Sequence, residues 1–310
     1  MSTSERSDER MGRPEEIRAV PVRRPGRWIA TVVVLAIAAS IVRAIVSNPH
    51  FQWGVVGHYM FDSRIVHGVI ATIYITCIAM AIGIILGVIL AVMRMSPNPI
   101  LSGASWLYIW FFRGTPIIVQ IIFWYNIAAL FPVINLGIPF GPSFIHANGN
   151  SVITIFVAAM LALGLNEGAY MAEIVRAGII SVGEGQSEAA ASLGMRRLAI
   201  MRHIVLPQAM RVILPPTGNE TISMLKTSSL VYTIGFAELF YEGSQIYGAN
   251  YETIPLLIVV SIWYLIMTSV LYVGQYFIER RYGRGFSRAQ RATMTERWLG
   301  LGRGGGGGAV

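Results

Sequence analysis

Thiol and ammonium chemistry are almost missing from this 310-residue chain, which holds a single cysteine, Cys77, and a single lysine, Lys226. One cysteine excludes an internal disulfide and leaves no set of thiolates for a metal cluster. Cys77 lies inside an apolar run, where a packing role in a helix is expected. Lys226 follows Leu225, so no Gly-x-x-x-x-Gly-Lys-Ser/Thr loop exists and the chain has no such cradle for ATP phosphates. The five histidines, His50, His58, His67, His146 and His203, form no His-Glu-x-x-His pair, which removes the zinc-protease reading. A Gly-x-Ser-x-Gly elbow is missing too, so a serine hydrolase has no nucleophile turn. No internal repeat is visible.

Charge is also scarce, at 13% of residues against 54% hydrophobic, with a mean hydropathy of +0.58. Such a chain belongs in a bilayer. The net charge of +8 is no nucleic-acid footprint, because the basic residues gather in the two tails and in one central loop. Residues 1–27 carry seven arginines and five acids with few apolar positions, and are expected to form a disordered tail. Residues 28–64 are read as an extra transmembrane helix, Trp28 to Val46, with an outside loop; its apolar run matches the roughly 20 residues a bilayer needs. Without a small-residue cleavage site and a soluble continuation, that run is not a cleavable signal.

Further apolar runs lie at about 65–93, 106–131, 151–176, 217–238 and 254–279. Pieces rich in proline, glycine and asparagine at 48–64, 132–150 and 241–253 separate them in pairs, giving six crossings. With residue 1 inside, Arg64 is the sole arginine or lysine in the outside loops, so the positive-inside rule puts both termini in the cytoplasm. Residues 65–282 form the membrane domain, and 283–310, with its Gly304 to Gly308 run, a flexible cytoplasmic tail.

The polar interruption EAAASLGMRRLAIMRHIVLP, Glu188 to Pro207, sits between two long apolar stretches. Good helix formers follow an acid at its start, and Gly194 breaks them. A second helical pattern sets Met195, Leu198, Ala199, Met201, Val205 and Leu206 against Arg196, Arg197, Arg202 and His203, until Pro207 stops it. A short helix-turn-helix on the membrane surface is predicted.

Glu188, Ala189, Ala190, Gly194, Ile204, Leu206 and Pro207 match the spacing Glu-Ala-Ala, three residues, Gly, nine residues, Ile-x-Leu-Pro. With them stand Phe112-Arg113-Gly114-Thr115-Pro116, Ala169 to Gly178 (AYMAEIVRAG), Gln208 to Arg211, Leu214-Pro215-Pro216 and Gly218-Asn219-Glu220. In this the chain resembles, over about residues 65–282, the permease subunits of bacterial ABC importers, in the polar amino acid branch of histidine, glutamine and arginine permeases. The resemblance implies an all-α membrane protein of the type I importer architecture whose coupling loop, 184–210, docks on separate ATPase subunits. It further implies that ATP and magnesium are bound by those partners rather than by this chain, that the permease pairs as a homodimer or with a sister permease, and that a solute-binding protein delivers the solute outside. The implied setting is the lipid of the bacterial cell membrane, with no nucleic acid and no catalysis by this chain.

Polar groups inside the spans need a reason, at about 2.5–3.5 kcal/mol for a charge at a helix centre. Asn166, Tyr170 and Glu173 share one helical face with Glu167 beside them, a stripe that could line a solute path. Glu167 and Asn166 offer oxygens to an ammonium group; equally, Glu167 could pair with Lys226, and Glu173 with Arg176 or Lys226, as helix contacts. Lys226, Thr227 and Ser228 are read as part of the same path, although a lysine near a helix end also snorkels to the interface. Arg113, Thr115 and Gln120 mark either a gate or a proline-softened helix start. Gly83 with Gly87, and Gly164 with Gly168, allow close helix approach. The rival to the importer reading is a self-contained ion-coupled secondary transporter or channel, which leaves the Glu188–Pro207 loop without a task.

Overall fold

The computed structural model describes residues 25–137 and 143–282, so most of the two expected tails lies outside the described residues. The chain divides into two compact units, Met1–Gln52 and Trp53–Val310. In the first, α1 (Pro25–Ser47) is apolar on most of its surface, with Arg27 and Arg43 the charged residues, and is largely exposed, as suits a helix whose surroundings are lipid. A single 3-10 turn, Pro49–Phe51, follows, capped by Asn48, whose side chain accepts from the His50 amide at 2.9 Å.

The second unit begins with α2 (Trp53–Tyr59) and the long α3 (Ser63–Arg94), started by Asp62 accepting from the Arg64 amide. Next come α4 (Pro99–Gly114) and α5 (Ile117–Leu130), a hairpin of β1 (Val133–Gly137) and β2 (Ser143–Asn148), the single turn α6 (Gly149–Val152), and α7 (Ile155–Ile180). The expected 132–150 loop is therefore in part an antiparallel hairpin, whose register runs from Val133 opposite Asn148. After α7 stand α8 (Glu184–Ser192), α9 (Arg197–Ile200), a π-turn over Met201–Val205, and α10 (Leu206–Thr227) with its 3-10 extension Ser228–Ile234. The chain closes on α11 (Leu239–Asn250) and α12 (Thr253–Tyr282). Among the described residues five helices are long and apolar enough to cross a membrane, or six if the bent pair α4 and α5 is one span.

Helix α7 is the centre of the fold. Its glycines interlock with those of α3: a Cβ on Gly83 would come within 2.4 Å of Glu167 Cγ and one on Gly87 within 2.4 Å of Met171 Cβ, while Gly164 and Gly168 receive Ile82 and Leu86. Both glycine pairs thus serve one interface, which permits the close helix approach expected of them. Leu163, Ala162, Ile75 and Ala79 bury the seam completely.

Three expectations change. The apolar run 106–131 is not one straight span, because α4 and α5 meet at 106° around Thr115 and Pro116. Pro116 has no N–H for the Phe112 carbonyl, and the Thr115 hydroxyl takes over the Phe111 carbonyl at 2.9 Å. Pro207 does not stop its helix. The π-turn before it inserts an extra residue, with the Leu206 amide reaching Met201 O, and this shift of register lets the proline ring stand at the start of α10 in a helix unbroken from Arg197 to Ile234. Cys77 is exposed on α3 rather than packed; lipid-facing and protein-facing positions of a span are equally apolar, so the sequence does not separate them.

Glu238 is fully buried and caps α11, accepting from the Phe240 and Tyr241 amides at 2.9 and 2.8 Å and from the Tyr264 hydroxyl at 2.8 Å. Thr72 of α3 adds its hydroxyl at 3.4 Å, so one carboxylate joins α3, α11 and α12.

Candidate solute cavity and coupling loop

The break between α4 and α5 opens a cavity of about 460 Å³ against α7 and α10. Its formation follows from the proline. Phe112 O, left without a helical donor, receives the side-chain amides of Gln120 at 3.0 Å and Asn166 at 2.9 Å. Gln120 also donates to the Thr115 carbonyl and hydroxyl at 3.1 and 2.7 Å, and its oxygen accepts from Asn166 at 3.3 Å. Gln120 and Asn166 therefore satisfy the backbone of the bend and hold it open.

Arg113, Thr115, Asn166, Glu167, Tyr170 and Thr227, all picked out in the sequence, line this cavity together, and Glu220 and Ser223 complete it. Glu220, Ser223 and Thr227 share one face of α10 by helical spacing; that period was the signal available for Glu220 and Ser223. Glu167 is 3% exposed, and its Oε1 has no hydrogen-bond partner. The Arg113 guanidinium lies over the Tyr170 ring at 5.1 Å.

Other sequence candidates are placed elsewhere. Lys226 does not meet Glu167; it is exposed and lines a separate groove with Ser229, Ser261, Tyr264 and Thr268 between α10 and α12. Ser228 is buried and donates to Leu225 O at 2.8 Å. Glu173 forms a two-point pair with Arg176, at 3.3 and 2.9 Å, so of its two expected partners the structure brings it Arg176. Gln120 stands behind the bend rather than in the cavity wall.

The polar loop folds as a helix-turn-helix. Gly194 takes φ +78°, a left-handed conformation that ends α8, with the Met195 amide bonded to Ala190 O. Ala190, Ile200 and Val205 form a small core with partly buried Met195 and Ile204, whereas Glu188, Ala189, Leu206 and Pro207 are exposed. Leu198, grouped with the apolar face by its period, is 79% exposed, and Leu193 is 84% exposed. The two leucines are apolar knobs on an otherwise polar surface, a feature the periodicity did not reveal.

Residues 83–284 match the family model described as the inner membrane component of binding-protein-dependent transport systems. The chain is 46% identical over 288 residues, 92% of its length and 88% of the relative's, to an arginine transport system permease protein of Corynebacterium glutamicum. It is 33% identical to a glutamine transport system permease protein of Escherichia coli, over 70% of this chain and 92% of that one. In structure it matches an amino acid ABC transporter crystallised with histidines, with a TM-score of 0.62 and 36% identity over 73% of this chain and 97% of that chain. A methionine ABC transporter in an inward-facing conformation shares the fold, with a TM-score of 0.54 at 19% identity. A self-contained ion-coupled transporter or channel drops out against these matches, and the chain belongs to the binding-protein-dependent transport system inner membrane components, as a multi-pass permease subunit of an ABC importer.

Proposed function

We propose that this permease carries a polar amino acid inward, with a cationic one such as arginine as the best fit, through the cavity at the α4–α5 bend. The observation that carries the reading is the Glu167 carboxylate, buried at the cavity wall with one oxygen unpartnered and Glu220 beside it. An unpaired carboxylate within a span costs several kcal/mol, about 2.5–3.5 by insertion scales, unless a cation or water meets it. A solute with an ammonium or guanidinium group answers that need, while Arg113, which lines the same cavity, suits its carboxylate by a forked hydrogen bond. Asn166, Tyr170 and Thr227 supply neutral hydrogen-bonding groups between the two ends. The volume falls within the range of small-molecule sites, about 300–1,000 Å³. The arginine for which the Corynebacterium glutamicum relative is named agrees in charge with this chemistry.

Coupling runs through residues 184–210. Exposed Leu193 and Leu198 provide the apolar contact for a cleft on an ATP-hydrolysing subunit, which binds the ATP and magnesium. Two permeases, identical or sister chains, stand on two such subunits, and a solute-binding protein docks on the opposite face. In this arrangement the coupling loop and both termini face the cytoplasm. Closure of the ATPase dimer moves the two loops and rocks the helices between inward-open and outward-open states, a population shift driven by ATP. The first unit's helix α1 is an addition to the membrane domain.

Glu167→Gln keeps shape and hydrogen bonding and removes the charge. Uptake of L-arginine and L-glutamine by vesicles holding the full complex is then compared. Arginine uptake should fall by about tenfold or more, equivalent to about 1.4 kcal/mol, with glutamine uptake changed much less. Equal effects on the two solutes would take the carboxylate out of the site.

A further inference from the structure

A second cavity, of about 550 Å³, adjoins the first toward the end of α7 that leads into the coupling loop. Its walls carry three guanidinium groups, Arg94 from the end of α3, Arg113 from the end of α4 and Arg176 from α7, against one carboxylate, Glu173. Glu173 is engaged by Arg176. Arg94 donates to the Ser102 hydroxyl at 2.9 Å, and neither Arg94 nor Arg113 has a carboxylate partner among the described residues. Three guanidinium groups against one carboxylate, itself held by Arg176, leave this space between membrane helices with an excess of positive charge, an arrangement that suits a carboxylate or a phosphate.

Continuity with the first cavity decides between those anions. Arg113, Gly114 and Tyr170 belong to both walls, and the Arg113–Tyr170 stack is the partition between the two spaces. Gly114 has no neighbour within 4 Å of a would-be Cβ, so nothing packs the partition in place from that side. A solute carboxylate held by Arg113 in the first cavity therefore reaches the second by a swing of one side chain, with Arg94 ahead of it. An anionic lipid headgroup offers the same charge, and exposed Trp106 and Trp110 at the wall suit a lipid interface, but a lipid gives no reason for the shared partition.

We propose that the second cavity is a release site for the α-carboxylate of the transported amino acid, passed from Arg113 to Arg94 on its way to the cytoplasm. The inference rests on the reading of the first cavity as the amino acid site. It predicts that the purified complex, in zwitterionic nanodiscs and without binding protein, binds L-arginine in a tight and a weak component. Arg94→Gln should abolish the weak component, leave the tight Kd within about twofold, and slow ATP-dependent uptake by about tenfold. Arg94→Lys should retain most of both. L-argininamide, which has no carboxylate for Arg113 or Arg94, should bind the first cavity less tightly than L-arginine and show no second component in the wild type. If Arg94→Gln fails to fold, Trp106→Glu, on an exposed wall, places a competing carboxylate in the same space and should likewise remove the weak component. A weak component equal for acid and amide, or unchanged by these variants, overturns the release site. So does a weak component that vanishes when phosphatidylglycerol is added to the discs, which would make this a lipid headgroup site. Loss of the tight component as well in the wild type would instead strike the amino acid reading itself, and the release site with it.

Discussion

The side chain of Glu167 lies on the bare Cα of Gly83, so that a methyl group there would come within 2.4 Å of Glu167 Cγ and 2.7 Å of its Cβ. The buried carboxylate on α7 is therefore positioned by a missing side chain on α3. Gly83→Ala must displace either Glu167 or the helix seam, and overpacking of this kind costs about 1–3 kcal/mol. Thermal unfolding in detergent should register that loss together with a fall in uptake. Gly103→Ala on α4 is the control, since nothing stands within 4 Å of its Cβ and an alanine in a helix interior should be neutral or stabilising by about 0.5–1 kcal/mol. Equal behaviour of the two variants would remove the seam from the account.

At the coupling loop, Gly194 has open space around it and a left-handed backbone. Any penalty on substitution is thus conformational rather than steric, about 1–2 kcal/mol for an ordinary side chain. Gly194→Asn should retain coupled uptake better than Gly194→Val, because asparagine tolerates this region and a β-branched residue does not. The ratio of solute carried to ATP hydrolysed in vesicles measures this; the reverse order would mean that the turn is not what transmits the ATPase motion.

Glu238 satisfies two backbone amides and the Tyr264 hydroxyl in a fully buried position. Glu238→Ala leaves these donors without an acceptor, and each buried orphan costs about 1–3 kcal/mol. Combining it with Tyr264→Phe removes one orphan. The double variant should then be less destabilised than the sum of the single ones, a non-additivity of about 0.5–3 kcal/mol in thermal melts. Strict additivity would show that the α11–α12 link does not depend on this contact.

Much of this architecture is legible in the sequence. Runs of about 20 apolar residues announce spans whatever their neighbours, and Gly194 marks the turn because few residues take a positive φ. The bend at Thr115 and Pro116 is only partly announced: Arg113, Thr115 and Pro116 interrupt the apolar run 106–131, but the decisive fact, which groups rescue Phe112 O, lies on Gln120 four residues beyond the proline and on Asn166 in another helix. Pro207 reads as a stop because the π-turn that accommodates it has no local sequence mark. At the candidate cavity, Asn166, Glu167 and Tyr170 stand out as polar groups in a span, but Lys226 does too, and only packing reveals that it points into a different groove. Leu198 follows the helical period and is nonetheless exposed, because period reports a shared face and not what covers it.

Orientation is testable with the native thiol removed, since Cys77 is exposed on α3. In a Cys77→Ser background, cysteines at Asn150 or Asn250 should react with an impermeant maleimide added to intact cells, and one at Ser187 in α8 should not. Labelling at Ser187 would put the coupling loop on the wrong side for an ATPase.

The most direct test of the central claim is uptake of labelled L-arginine into vesicles containing this chain with its ATPase subunits and binding protein, with ATP inside the lumen at the loop face and ion gradients collapsed by ionophores. Uptake that requires ATP, requires the binding protein, persists without any ion gradient and is lost in Gly194→Val is the predicted result. Uptake that proceeds without ATP and stops when the ion gradients are collapsed would contradict it.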